Sequence, residues 1–84
     1  ENRFPALSIA RKTAKIGGTM PAVLNAANEI AVEAFCQRKI RFIDIPKIVA
    51  ETMESHKPIL HPELKDILSA DDWARQKAQS LAFH

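Results

Sequence analysis

Residues 23–32, VLNAANEIAV, set two amides three positions apart inside an otherwise apolar run. Asparagine suits a helix interior poorly, because its side chain bonds nearby backbone and favours caps and turns. Asn25 and Asn28 are therefore the first candidates for a role beyond packing. They can touch a ligand directly, or they can hydrogen-bond a neighbouring loop or domain and fix its register. The metal candidates are Cys36, His56, His61 and His84. His56 and His61 stand five apart across Pro58, so they do not share a helix face as the paired histidines of helical zinc motifs do. They read as surface or loop histidines. Cys36 would need a histidine to lower its pKa before it could act as a nucleophile, and near a helix end it reads as a small hydrophobe.

Other chemistry is sparse. Gly17-Gly18 fits a helix stop better than a phosphate cradle, which needs a longer glycine-rich loop. Arg38-Lys39-x-Arg41 reads as a solvated helix end rather than a phosphate contact. Trp73 reads as a core anchor. The acidic residues are scattered along helix faces and supply no pair for general acid–base work. These residues do not make a complete enzyme site.

The elements that must position them follow from composition and periodicity. Eighty-four residues suffice for one small domain with a single core. Hydrophobic residues form 46% of the chain and glycine occurs only twice, which favours a globular, helical fold. No apolar run approaches the roughly 20 residues a membrane span needs, and no signal sequence opens the chain. Net charge is +2, with Lys and Arg dispersed among Asp and Glu, so nothing demands nucleic acid. The lone Cys36 fits a reducing, intracellular compartment. Glu1 rather than Met at the start suggests a fragment or a processed product.

Phe4-Pro5 and Gly17-Gly18 bracket a predicted first helix over residues 5–16. Thr19 is the expected N-cap of a second helix over about 20–37, with Pro21 in its first turn. Val23, Leu24, Ala27, Ile30, Ala31, Ala34 and Phe35 share one broad arc of it, and Ala22 and Ala26 keep much of the other side small. A helix so apolar around its girth is expected at the centre of the fold. Ile40-Arg41-Phe42 reads as a short extended connector. Asp44 is the expected cap of a third helix, with Ile43 and Ile48 stapled across it. Its buried stripe is Ile45, Ile48, Val49, Thr52 and Met53, with Lys47 and Glu51 paired outside. Lys57-Pro58 ends that segment. Residues 58–68 read as a loop with at most one helical turn over Glu63–Leu68. Ser69 then caps a fourth helix whose inner stripe is Trp73, Ala74, Ala78 and Leu81, with Asp71 and Arg75 as an i,i+4 pair. The expected class is all-α, a compact four-helix bundle-like domain over residues 1–84.

On the second helix, Asn28 borders the apolar arc beside Phe35, and Asn25 shares a flank with Val32 and Cys36. Glu29 and Glu33 mark the side that meets water or another domain. A buried amide left unpaired costs about 1–3 kcal/mol, so both amides should find partners.

Pro21-Ala-Val-Leu-Asn25-Ala-Ala-Asn28-Glu29 resembles the PAVLNAANE-type motif of the 1-deoxy-D-xylulose 5-phosphate reductoisomerase family. These are enzymes of the non-mevalonate isoprenoid pathway of bacteria and plastids. Arg3-Phe4-Pro5, Gly17-Gly18-Thr19, Ile40-Arg41-Phe42-Ile43-Asp44-Ile45 and Ala70-Asp71-Asp72-Trp73-Ala74-Arg75 agree with it in order and spacing. The resemblance covers nearly the whole chain and is confined to the family's C-terminal helical domain. It implies a parent polypeptide with an N-terminal Rossmann-type NADPH domain and a central catalytic domain holding Mg²⁺ or Mn²⁺. That parent would convert 1-deoxy-D-xylulose 5-phosphate to 2-C-methyl-D-erythritol 4-phosphate as a homodimer in the cytoplasm or the plastid stroma. The fragment itself would be inactive and bind neither cofactor, metal, nucleic acid nor membrane. Its partner would be the catalytic domain, reached through Asn25, Asn28 and Glu29 in a structural, interdomain role. The competing expectations are a free-standing helical module that binds another protein through the same flank, and a small nucleic-acid binder.

Overall fold

Three helices follow from where glycine, proline and the capping carboxylates fall. The structure is a computed structural model that describes residues 17–83, so the predicted helix over 5–16 and His84 lie outside the described residues. Within them, α1 spans Met20–Cys36, α2 spans Asp44–Glu54 and α3 spans Leu64–Ala82, with no strand. The all-α class holds among the described residues.

Helix α1 lies at the centre, as its girth of apolar and small residues requires. Met20, Val23, Ala26, Ala27, Ile30, Ala31 and Ala34 are buried. Leu24 is half-buried and Phe35 is exposed, so the buried arc is rotated toward Ala26 relative to the expected one. Its longest contact is with α3, its second with α2. Helix α3 presents Ala70, Ala74, Ala78 and Ala82, one per turn and all buried, against the small residues of α1. Two facing alanine surfaces let backbones come close, and dispersion contacts between them replace large side chains. Trp73 and Leu81 flank this stripe half-buried rather than forming it. Helix α2 contributes Ile48, Val49, Thr52 and Met53, as its periodicity predicts. Thr52 Oγ1 donates to the Ile48 carbonyl at 2.8 Å, which pairs a buried hydroxyl within its own helix.

Three helix ends add to the expected pattern or depart from it. First, Arg41 lies among turns and bends rather than in an extended connector, and Ile43 is exposed instead of stapled to Ile48. The Asp44 carboxylate reaches back three residues to the Arg41 N–H at 2.9 Å, so it closes the turn before α2 rather than capping α2 itself. Lys47 and Glu51 form no ion pair among the described residues. Second, α1 ends with Arg38 at φ +60°. The Arg38 N–H donates to Phe35 O at 3.0 Å and the Lys39 N–H to Ala34 O at 2.9 Å, the Schellman pattern in which glycine usually holds the left-handed position. Third, α3 begins at Leu64, not after Ser69. The Asp66 carboxylate accepts the Glu63 N–H at 3.0 Å, and no proline follows Pro62 to interrupt the helix. Ser69 is an exposed position inside it.

Candidate functional site

The polar face of α1 is tied to α3 by one chain of hydrogen bonds. Asn25 Nδ2 donates to Glu29 Oε2 at 3.0 Å, one turn along the same helix. Arg75 Nη2 on α3 donates to that same oxygen at 3.0 Å, and its Nε donates to Asp71 Oδ1 at 2.9 Å. The Asp71–Arg75 pair expected from spacing is therefore half of a larger clamp. Arg75 holds its proton more firmly than usual, first because Glu29 accepts its hydrogen bond and then because Asp71 does. All four side chains reach solvent, and exposed ion pairs are worth only about 0–1 kcal/mol each. The clamp orients α3 on α1 more than it stabilises the fold.

Asn25, Asn28 and Glu29 are all exposed. The amides thus avoid the desolvation cost that a half-buried position would impose. Asn25 has a partner on its own helix, while Asn28 makes no side-chain hydrogen bond to another described residue. Asn28 instead lines an open depression with Glu29, Val32, Glu33 and Arg75. The apolar flank beside them is real: Val32 and Phe35 are exposed, and Phe35 meets Phe42 edge-on at 5.6 Å between ring centroids. Cys36 is exposed beside this flank rather than buried as a small hydrophobe.

A second constellation escaped sequence reasoning. Thr19 is fully buried, and its hydroxyl makes no cap bond to α1. Its Oγ1 lies 2.8 Å from His56 Nε2 and accepts the Ile59 N–H at 2.9 Å, while the Thr19 N–H donates to Ile59 O at 3.2 Å. The His56 ring lies over Trp73 with centroids 5.2 Å apart. Gly18 has φ +57°, and a Cβ there would run into the Ile59 carbonyl. Gly-Gly-Thr before a helix thus serves to bring the 56–59 loop onto the start of α1. The doubled glycine was the available signal, since stopping a helix needs only one. Burial pushes the His56 pKa below its ordinary 6.5. Asp44 is held below its usual range, first by the Arg41 N–H and then by the Arg41 guanidinium.

Among the described residues, no three His, Cys, Asp or Glu side chains converge on a point where a metal ion would sit. Glu29 and Asp71 are both engaged by Arg75. The described residues therefore do not fit a divalent-cation site.

Residues 1–77 match the family model described as the DXP reductoisomerase C-terminal domain. The chain belongs to the DXP reductoisomerase C-terminal domain family. Similar curated proteins include the 1-deoxy-D-xylulose 5-phosphate reductoisomerases of Desulforamulus reducens, 52% identical over 80 residues, and Chlorobium chlorochromatii, 54% identical over 79. These alignments cover 95% and 94% of this chain but 21% of each relative. The chain thus spans about a fifth of the length of the curated relatives it matches. A solved 1-deoxy-D-xylulose 5-phosphate reductoisomerase from Zymomonas mobilis, in complex with NADPH, superposes with a TM-score of 0.89 at 48% identity. It covers 98% of this chain and 22% of that one. As a member of the reductoisomerase C-terminal domain family, the chain carries the PAVLNAANE stretch on the α1 face described above.

Proposed function

We propose that this chain is the non-catalytic C-terminal domain of a longer NADPH-dependent reductoisomerase. That polypeptide would carry a Rossmann-type NADPH domain and a catalytic domain upstream of residues 1–84. It isomerises and reduces 1-deoxy-D-xylulose 5-phosphate to 2-C-methyl-D-erythritol 4-phosphate, with NADPH as reductant and Mg²⁺ or Mn²⁺ in the catalytic domain, as a homodimer in the cytoplasm or plastid stroma. The present domain supports the catalytic domain. The observation that carries this reading is the α1–α3 clamp: Asn25 and Glu29 of the diagnostic motif bind one another and Arg75 on a solvent-facing surface. A reacting group would instead need to be free to exchange a proton or meet a substrate.

Asn25, Asn28 and Glu29 then act as structural, interdomain residues. Asn25 orients Glu29, Glu29 holds Arg75, and Asn28 is left to meet the neighbouring domain. In the full polypeptide, Asn28→Ala is expected to lower both stability and turnover, leaving KM for the sugar phosphate nearly unchanged. The check is steady-state NADPH oxidation together with a thermal melt. Wild-type values in both would contradict an interdomain role for that amide.

A further inference from the structure

Helix α3 is longer than the core it covers. Ile67 precedes Ala70 by three residues and Ala74 by seven, so it heads the same helical stripe. Those alanines are buried, yet Ile67 is 37% exposed. The first turn of α3 therefore overhangs, with too little beneath it to cover the stripe. Leu64 and Leu68, one turn apart beside Ile67, are 70% and 59% exposed, and Ile59 and Leu60 extend the apolar surface into the preceding loop. Five large aliphatic side chains within ten residues form a ridge of the kind that marks an interaction site rather than scattered surface apolarity.

The chain's own path indicates what lies on it. The described residues begin at Gly17, and a Cβ added at the next residue, Gly18, would run into the Ile59 carbonyl. The Thr19 N–H then bonds that carbonyl at 3.2 Å. The described residues thus begin beside the ridge. In the curated relatives about four-fifths of the sequence lies outside the matched portion, and the family assignment makes this portion the C-terminal one. We infer that the ridge Ile59, Leu60, Leu64, Ile67 and Leu68 is the seat of the domain that precedes this one in the same polypeptide. This rests on the reading of the chain as part of a longer enzyme, and it adds a contact surface distinct from the Asn28 flank of α1. Apolar burial there would fix the start of α3, while the polar clamp fixes its middle.

The test is site-specific photocrosslinking in the full polypeptide. Leu64→p-benzoylphenylalanine and, as a second variant, Leu68→p-benzoylphenylalanine are irradiated, with Gln76→p-benzoylphenylalanine, exposed two turns further along α3, as control. The expected result is an intramolecular adduct from position 64 or 68 to a peptide upstream of Glu1, absent from position 76. Adducts only to a second copy, only within residues 1–84, or none at either position would overturn the inference. Turnover of the unsubstituted full polypeptide reads the functional proposal separately. Activity without the adduct rejects the ridge alone, and the adduct without activity rejects the function alone.

Discussion

Thr19 is buried with a hydroxyl that serves the 56–59 loop instead of its own helix. Its replacement by valine keeps the shape and deletes both bonds, leaving the Ile59 N–H and the His56 ring nitrogen without this partner. Thr19→Val is expected to cost about 1–3 kcal/mol in urea unfolding, and Thr19→Ser, which keeps the oxygen, distinctly less. Equal losses in the two variants would mean that the methyl group rather than the hydroxyl matters. His56 adds a pH dependence. Burial lowers its pKa in the folded state below 6.5, so the unfolded chain binds the proton more tightly. Above pH 6.5 both states are neutral and stability is full. As pH falls below 6.5 the unfolded state protonates first, and stability declines until the folded pKa is passed. The difference in unfolding free energy between the wild type and His56→Gln, followed from pH 8 to pH 5, isolates this contribution from the other histidines. A difference that moves in the wild type's favour on acidification would contradict the burial of the ring.

Helix identities and their inward faces were readable from periodicity, because Ile48, Val49, Thr52 and Met53 repeat as a helical stripe and α1 is apolar or small nearly all round. Ala26 was harder to place, since an alanine is as compatible with an outer face as with a close helix contact. Boundaries were less legible. Ser69-Ala-Asp71-Asp72 resembles a start signal, but Asp66 already satisfies the N–H of Glu63, six residues before Ser69, and a helix once begun continues through an exposed serine. Asp66→Ala is expected to cost about 1 kcal/mol and to increase amide hydrogen exchange over residues 64–68 before the rest of α3. Unchanged protection there would show that α3 begins without this carboxylate. The candidate site divides the same way. The Asp71–Arg75 pair is local and spacing reveals it, whereas Glu29 joining Arg75 across 46 positions is a tertiary event. The Thr19–His56–Trp73 constellation joins three segments and was beyond any local pattern.

Among the described residues, the domain keeps α1 at the centre, packs it through alanines, and leaves apolar surface outside around Phe35 and Phe42 and along Ile59–Leu68. That distribution suits a domain that braces others, and the Glu29–Arg75 pair fixes α3 on α1. On the function proposed above, residues 1–84 support a reductoisomerase and do no chemistry themselves. The most direct measurement is NADPH oxidation dependent on 1-deoxy-D-xylulose 5-phosphate and Mg²⁺, made on the full polypeptide and on this chain alone. Turnover by the full polypeptide and none by the chain is the expected result. Turnover by the chain alone, or none by the full polypeptide, would contradict it.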